Sequence, residues 1–341
     1  MRKTFLQLLC GMTFLSASCQ NVSLDKYLQK QYTNGELNGN VLVMQDNELL
    51  YENSFGVANA ETEEPLTSAY RFNVGSIYKE FPGVAVLQLK EKGKLRLTDT
   101  IDNYLEELPE WAKSITIQNL LQYTSGLPRI PWGDFFKGNI PITEKLLKEL
   151  LLKTEEPAFP PGSDYLYSNF NPILLTQIVE SITEKNFESY VVENLFKTAQ
   201  MENAFFAEKT PYQNERFVAT SFNKNLKTDV FYIQEPKLLM NFTAQDLYQW
   251  LYHLHNHKLI SKQSIQLLSE RAGSQSPLGV LDWDKETLKV HHHHGSSGNY
   301  EAVIRYYPNE ELYIVILTNQ KHSNVSEMAD NIYGTVIPEK G

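Results

Sequence analysis

Ser76-Ile77-Tyr78-Lys79 decides the reading of this chain, because it sets a serine three residues ahead of a lysine. If a helix begins at Ser76, residues i and i+3 share a face, and the ammonium lies beside the hydroxyl. The backbone N–H groups of a first helical turn have no intrahelical partner, and the helix macrodipole adds positive potential there. A serine so placed has a proton acceptor within reach and a donor for an oxyanion. The bland alternative for four residues alone is a solvated helix start, so their context has to decide.

Two further signals follow in order. Tyr167-Ser168-Asn169 sits in a loop-like stretch entered through Pro161-Gly162 and followed by an apolar helical pattern from Ile173. His293-His294-Gly295 ends an apparent strand and runs into Ser296-Ser297-Gly298. The sequence S-x-x-K, then Y-x-N, then a basic residue-x-Gly resembles the penicillin-recognising serine enzymes, in the branch of class C β-lactamases, DD-carboxypeptidases, D-amino-acid amidases and related esterases. The resemblance covers residues 35–335 and includes the segments NGNVLVMQDNELLYENSFGVAN, YRFNVGSIYKEF, ITIQNLLQYTSGLP and NFTAQDLYQWLYHL. It implies an α+β fold of the β-lactamase/transpeptidase type, with a sheet lobe from residues 35–100 and 276–335 and an inserted helical lobe from 101–275.

The local patterns fit that architecture. Val41–Met44 and Leu49–Ser54 flank a Gln45-Asp46-Asn47 turn and predict a hairpin. Leu278–Trp283, Thr287–His293, Tyr300–Tyr306 and Leu312–Thr318 predict further strands, and Val325–Tyr333 a closing helix. Strands from both ends must then share one antiparallel sheet. Thr243 with Asp246 predicts an N-terminal cap for a helix over Ala244–His255. Ile77–Lys92 reads as one long helix closed by Gly93. Pro82 inside it removes an N–H, which predicts a kink one turn past the serine.

The resemblance also implies roles. Ser76 is the acyl-accepting nucleophile, and Lys79 and Tyr167 are rival general bases. Asn169 contacts a substrate amide, with an Asx-type turn cap as its plain structural alternative. His293 stands where class C β-lactamases carry a lysine and is expected to face the substrate. A histidine is mostly uncharged near neutral pH, so this departure favours a peptidase, amidase or esterase over efficient β-lactam hydrolysis. Gly295 lets the backbone approach, and the N–H groups of Ser76 and Ser296 are the expected oxyanion donors. Alternation along a strand puts His291 and His293 on one face, but no nearby acid or cysteine completes a metal set, so no metal or cofactor is expected.

Composition bounds the remaining possibilities. The formal net charge is −10 with no basic cluster, which excludes nucleic acid as a partner of the chain body. At 341 residues and 42% apolar content the chain can bury a large core. Arg2 and Lys3 precede an apolar stretch from Phe5 to Leu15, too short to span a bilayer, and residues 1–18 read as an export signal. Ser16-Ala17-Ser18-Cys19 resembles a bacterial lipobox, which implies lipidation of Cys19 as the one membrane attachment. Ser16 departs from the apolar residue usual there, so cleavage after Ser18 without lipid is the alternative. Residues 19–34 would then lead into the domain of an exported monomer, periplasmic or on the outer surface. The expected partner is a small-molecule or peptide substrate, with cell-wall-derived compounds among the candidates. Three functions follow: a serine hydrolase of D-amino-acid peptides, amides or esters, a true β-lactamase, or a non-catalytic envelope binding protein.

Overall fold

In the computed structural model, residues 21–212, 215–269, 275–321 and 325–338 are described. The predicted signal and Cys19 lie outside them. Six antiparallel strands form the main sheet: β1 (Gly39–Gln45), β2 (Glu48–Phe55), β6 (Val280–Asp284), β7 (Thr287–Ser297), β8 (Tyr300–Tyr307) and β9 (Leu312–Thr318). Their spatial order is β2-β1-β9-β8-β7-β6, so the first and last strands of the chain pair at the centre. The β1–β2 hairpin closes through Asp46 and Asn47, whose φ angles of 51° and 61° give the mirror-image turn that matches strand twist.

Strand periodicity divides the interior in two. Val41 and Val43 of β1, with Ile314 and Ile316 of β9, face a core completed by Leu24, Leu28 and Ile332. Leu42, Val315 and Leu317 point the opposite way into the larger core. Both faces of the central strands are therefore covered, which is why they read as continuous apolar runs rather than clean alternations. The first face carries α1, helical over residues 21–33, and α10 (Val325–Val336). α1 has no counterpart in the sequence reading; Leu24 and Leu28 give it a narrow apolar stripe.

The larger core packs α2 (Glu80–Glu91) and α8 (Ala244–His255) together with the helices of the middle region. These are α3 (Ile117–Leu121), α4 (Trp132–Lys137), α5 (Glu144–Leu152), α6 (Phe170–Thr183), α7 (Phe187–Val191) and α9 (Lys262–Leu268). Thr243 and Asp246 form the capping box expected for α8. A small sheet of β3 (Phe72–Asn73), β4 (Phe205–Phe206) and β5 (Met240–Phe242), in the order β3-β5-β4, has strands too short to leave a periodic signal.

The nucleophile segment differs from the single kinked helix expected. Gly75–Lys79 is a 3-10 helix, and the α-helix starts only at Glu80. The change of helical type thus precedes Pro82, which stands in the first turn of α2. The 3-10 turn runs directly into α2, so the Glu80 N–H still finds an acceptor in Ile77 O, whereas Pro82 has no N–H to offer the carbonyls of that turn.

Candidate active site

A 3-10 turn eclipses side chains at i and i+3, a tighter superposition than an α-helix gives. Ser76 and Lys79 are so related, and Lys79 Nζ lies 2.7 Å from Ser76 Oγ. From the helical lobe the Tyr167 hydroxyl reaches the same oxygen at 2.9 Å. The start of the turn is fixed by Asn73, whose side-chain carbonyl accepts the Gly75 N–H at 2.9 Å.

Tyr167 arrives on a loop laid against residues 123–128. Leu166 N–H donates to Tyr123 O at 2.9 Å, Gly162 N–H to Thr124 O at 2.7 Å, and Ala158 N–H to Gly126 O at 2.8 Å. Gly126 is required there: its φ is +74°, and a Cβ would lie 2.3 Å from Phe159 O. The Tyr167 ring stacks on Tyr123, centroids 5.2 Å apart. Asn169 follows as the N-cap residue of α6 without a side-chain cap bond, and it lines the cleft. The turn-cap alternative for this asparagine is therefore not the one adopted.

The third element is β7. Its backbone lies against the nucleophile turn: a Cβ on Gly295 would fall 1.9 Å from Val74 O and 2.9 Å from Ser76 N. A Cβ on Gly75 would fall 2.4 Å from Ser296 N. Gly295 and Gly75 are the price of this contact, which sets Ser296 beside the nucleophile turn in the wall of the cleft.

The environment separates the two rival bases. Lys79 is 2% exposed, and burial lowers its pKa from 10.5 to about 7. Its ammonium position lies 4.8 Å from the Tyr78 ring centroid and 5.1 Å from that of Tyr167. Burial pushes Tyr167 the other way, up to about 12, against the opposing effect of its bond to Ser76. Burial thus favours the neutral amine at Lys79 and the protonated phenol at Tyr167.

His293 requires a correction. Its inward-facing side is as alternation along β7 predicts, with His291 and His293 buried and His292 and His294 partly open. The imidazole is nevertheless 2% exposed and does not line the cleft. It turns to Glu80, Nδ1 lying 2.7 Å from Oε1, because that fully buried carboxylate needs donors. Burial holds its pKa below the ordinary imidazole range, with the Glu80 contact opposing. It is not a substrate-facing cation.

The cleft, about 220 Å³, is lined by Ser76, Lys79 and Asn169, by Ser296 to Gly298, and by Trp132, Phe136, Ile233 and Leu238. A larger cavity of about 270 Å³ lies across the start of α6, between Leu105, Leu147, Phe170 and Glu235, and contains none of the three convergent side chains. Ser76 and Lys79 line the smaller one. Sequence reading missed Glu80, Tyr123 and the aromatic wall of Trp132 and Phe136. Glu80 alone left a signal, a lone acid opening an apolar stretch from Phe81 to Leu89.

A sheet joining both chain ends, an inserted helical region and a serine at their junction define a serine hydrolase. The chain belongs to the β-lactamase family, whose profile matches residues 24–337. It is 27% identical over 306 residues to PbpX of Bacillus subtilis (strain 168), whose own assignment as a penicillin-binding protein is provisional; the match covers 86% of this chain and 74% of that protein. A second penicillin-binding protein of that strain is 31% identical over 184 residues, 52% of this chain and 40% of the relative. Among solved structures, the fold resembles a penicillin-binding protein of Bacillus halodurans, with a TM-score of 0.78, 24% identity, and 89% and 98% of the two chains covered. It also resembles a class C β-lactamase, with a TM-score of 0.74, 19% identity, and 95% and 97% covered.

Proposed function

We propose that this protein is an exported hydrolase that forms an acyl-enzyme on Ser76 and acts on a D-amino-acid peptide, amide or ester. The observation that carries the reading is the convergence of Lys79 at 2.7 Å and Tyr167 at 2.9 Å on one serine oxygen. Neutral Lys79 takes the Ser76 proton as Oγ bonds to the substrate carbonyl carbon. The resulting oxyanion is held by the Ser76 and Ser296 N–H groups. Tyr167 gives its proton to the departing amine or alcohol and regains one from Lys79. Water then attacks the ester on Ser76 by the same proton path, releasing the acid. Asn169 holds a substrate amide.

The cleft bears on the substrate. Among the described residues that line it, the sole basic side chain is Lys79, and Trp132, Phe136, Ile233 and Leu238 form apolar walls. The further cation within reach is the exposed Lys321 at the rim, its Nζ 3.2 Å from Ser296 Oγ, and its solvent exposure weakens its hold on a substrate carboxylate, which favours neutral esters and amides. β-Lactam hydrolysis is the second reading, supported by the resemblance to penicillin-binding proteins and to a class C β-lactamase. A non-catalytic binding role leaves the Ser76–Lys79–Tyr167 convergence without a purpose.

The test is to label the purified protein with a fluorophosphonate and a fluorescent penicillin, then measure turnover of nitrocefin, D-Ala-D-Ala peptides, D-amino-acid amides and short acyl esters. Label on Ser76 and a higher kcat/KM for neutral amides or esters than for nitrocefin are expected. Tyr167→Phe should lower turnover by ~10²–10⁴-fold while the protein stays folded. A folded protein that takes no label on Ser76 would overturn the proposal.

A further inference from the structure

Trp250 and three histidines that this acylation chemistry does not use are linked through one carboxylate. Glu80, the first residue of α2, is fully buried. Its Oε2 accepts Trp250 Nε1–H from α8 at 2.6 Å. Its Oε1 lies 2.7 Å from His293 Nδ1 and 3.3 Å from His291 Nε2, both on β7. The longer contact is an ion-pair approach without hydrogen-bond alignment. His291 Nδ1 in turn lies 2.8 Å from Nε2 of His255 on α8.

Donor and acceptor counting assigns the protons. An ionised carboxylate only accepts, so His293 must carry a proton on Nδ1. The His255–His291 contact needs one N–H and one lone pair. If His291 keeps its proton on Nε2, towards Glu80, its Nδ1 is bare and His255 Nε2–H donates. The His255–His291 contact then has one donor and one acceptor. Burial, acting on both His293 and His255, lowers their pKa values and agrees with neutral rings.

We propose that Glu80 is a positioning residue, whose carboxylate fixes the His293 proton on Nδ1 and clamps β7 to the nucleophile turn. The ring's Nε2 is then bare, an acceptor. Glu80 follows Lys79 directly, and His293 precedes Gly295 by two residues. One carboxylate therefore ties the turn that carries the nucleophile to the strand that carries the Ser296 amide. Because Gly295 and Val74 are already in backbone contact, a shift of β7 changes the spacing of the two oxyanion donors.

This inference rests on Ser76 being the acyl acceptor, and the two fail differently. Without fluorophosphonate label on wild-type Ser76, the nucleophile assignment fails. The clamp is tested by nitrogen NMR of protein labelled with [15N]histidine, the His293 signals being assigned by their loss in His293→Asn. Wild type should show a neutral His293 protonated at Nδ1. In Glu80→Gln the amide cannot accept from both Trp250 and His293, so the His293 proton should move to Nε2. The kcat should fall about 10²-fold, the loss typical of a small misplacement, with KM little changed. Glu80→Asp should restore the Nδ1 proton in part. A wild-type His293 protonated at Nε2 or at both nitrogens overturns the proposal, as does a Glu80→Gln variant with unchanged tautomer and kcat. If Glu80→Gln does not fold, Trp250→Phe removes the other donor instead. It should lower Tm and leave the His293 pattern intact, and a moved proton there would refute the assignment.

Discussion

Replacing Lys79 by methionine should remove acyl-enzyme formation and make the protein more stable. The side chain is 2% exposed, and burial lowers its pKa from 10.5 to about 7. The unfolded chain therefore binds this proton more tightly than the folded one, which penalises folding at any pH below the unfolded value. The penalty is flat below pH 7, at about 5 kcal/mol from the difference between the two pKa values. It shrinks as pH rises between them, to about 3 kcal/mol at pH 8 and about 1 kcal/mol at pH 10. Losing the contact to Ser76 returns about 1 kcal/mol. The net gain for Lys79→Met is then about 2 kcal/mol at pH 8 and about 4 kcal/mol at pH 6. Urea unfolding of both proteins at pH 6, 8 and 10 measures it, with a midpoint shift on the order of 1 M at pH 6. Equal stabilities at pH 6, or a gap that does not close by pH 10, would refute the claim that this lysine is held neutral by burial.

The same burial predicts that kcat/KM for a neutral ester rises through pH about 7 and then stays level, because Tyr167 at about 12 keeps its proton; the lack of a rise near pH 7 would count against Lys79 as the base, and a fall between pH 8 and 10 against Tyr167 as the acid. Gly295→Ala should abolish labelling of Ser76 and destabilise the fold by more than about 3 kcal/mol, since the new methyl falls 1.9 Å from a backbone oxygen that cannot yield; normal labelling kinetics would mean that β7 is free to move. Cys19→Ala tests the proposed anchor, and it should abolish both fatty-acid incorporation and detergent partitioning. A lipid-free mature protein beginning at Cys19 would favour plain secretion.

The fold was legible where burial alone dictates pattern. Val41–Met44 and Leu312–Thr318 lie within observed strands because a central strand covered on both faces needs an apolar run. Ser76 and Lys79 were legible because their relation is local. Three-residue spacing brings them together in either kind of helix, although only the structure reveals the 3-10 turn. His293 was misplaced for the opposite reason. Alternation identifies the face of a side chain, but Glu80, 213 residues away in sequence, decides what occupies that face. Tyr123 was hidden because a stacking partner for Tyr167 differs in no visible way from other tyrosines, and its left-handed φ of 53° leaves no mark on the sequence.

The pairing of β1 with β9 has a consequence for the protein during its synthesis. Residue 45 leaves the ribosome long before residue 312, and at ordinary elongation rates the interval is on the order of tens of seconds. Throughout it, β1 has β2 as a neighbour but lacks its other partner, and Ser76 and Lys79 exist without the strand that carries Ser296. The nascent chain therefore holds a nucleophile with no oxyanion site and an apolar strand with one open edge. Reactivity at Ser76 should then report the arrival of β7, and a chain broken before Leu312 leaves the β1 edge that β9 covers open to edge-to-edge association.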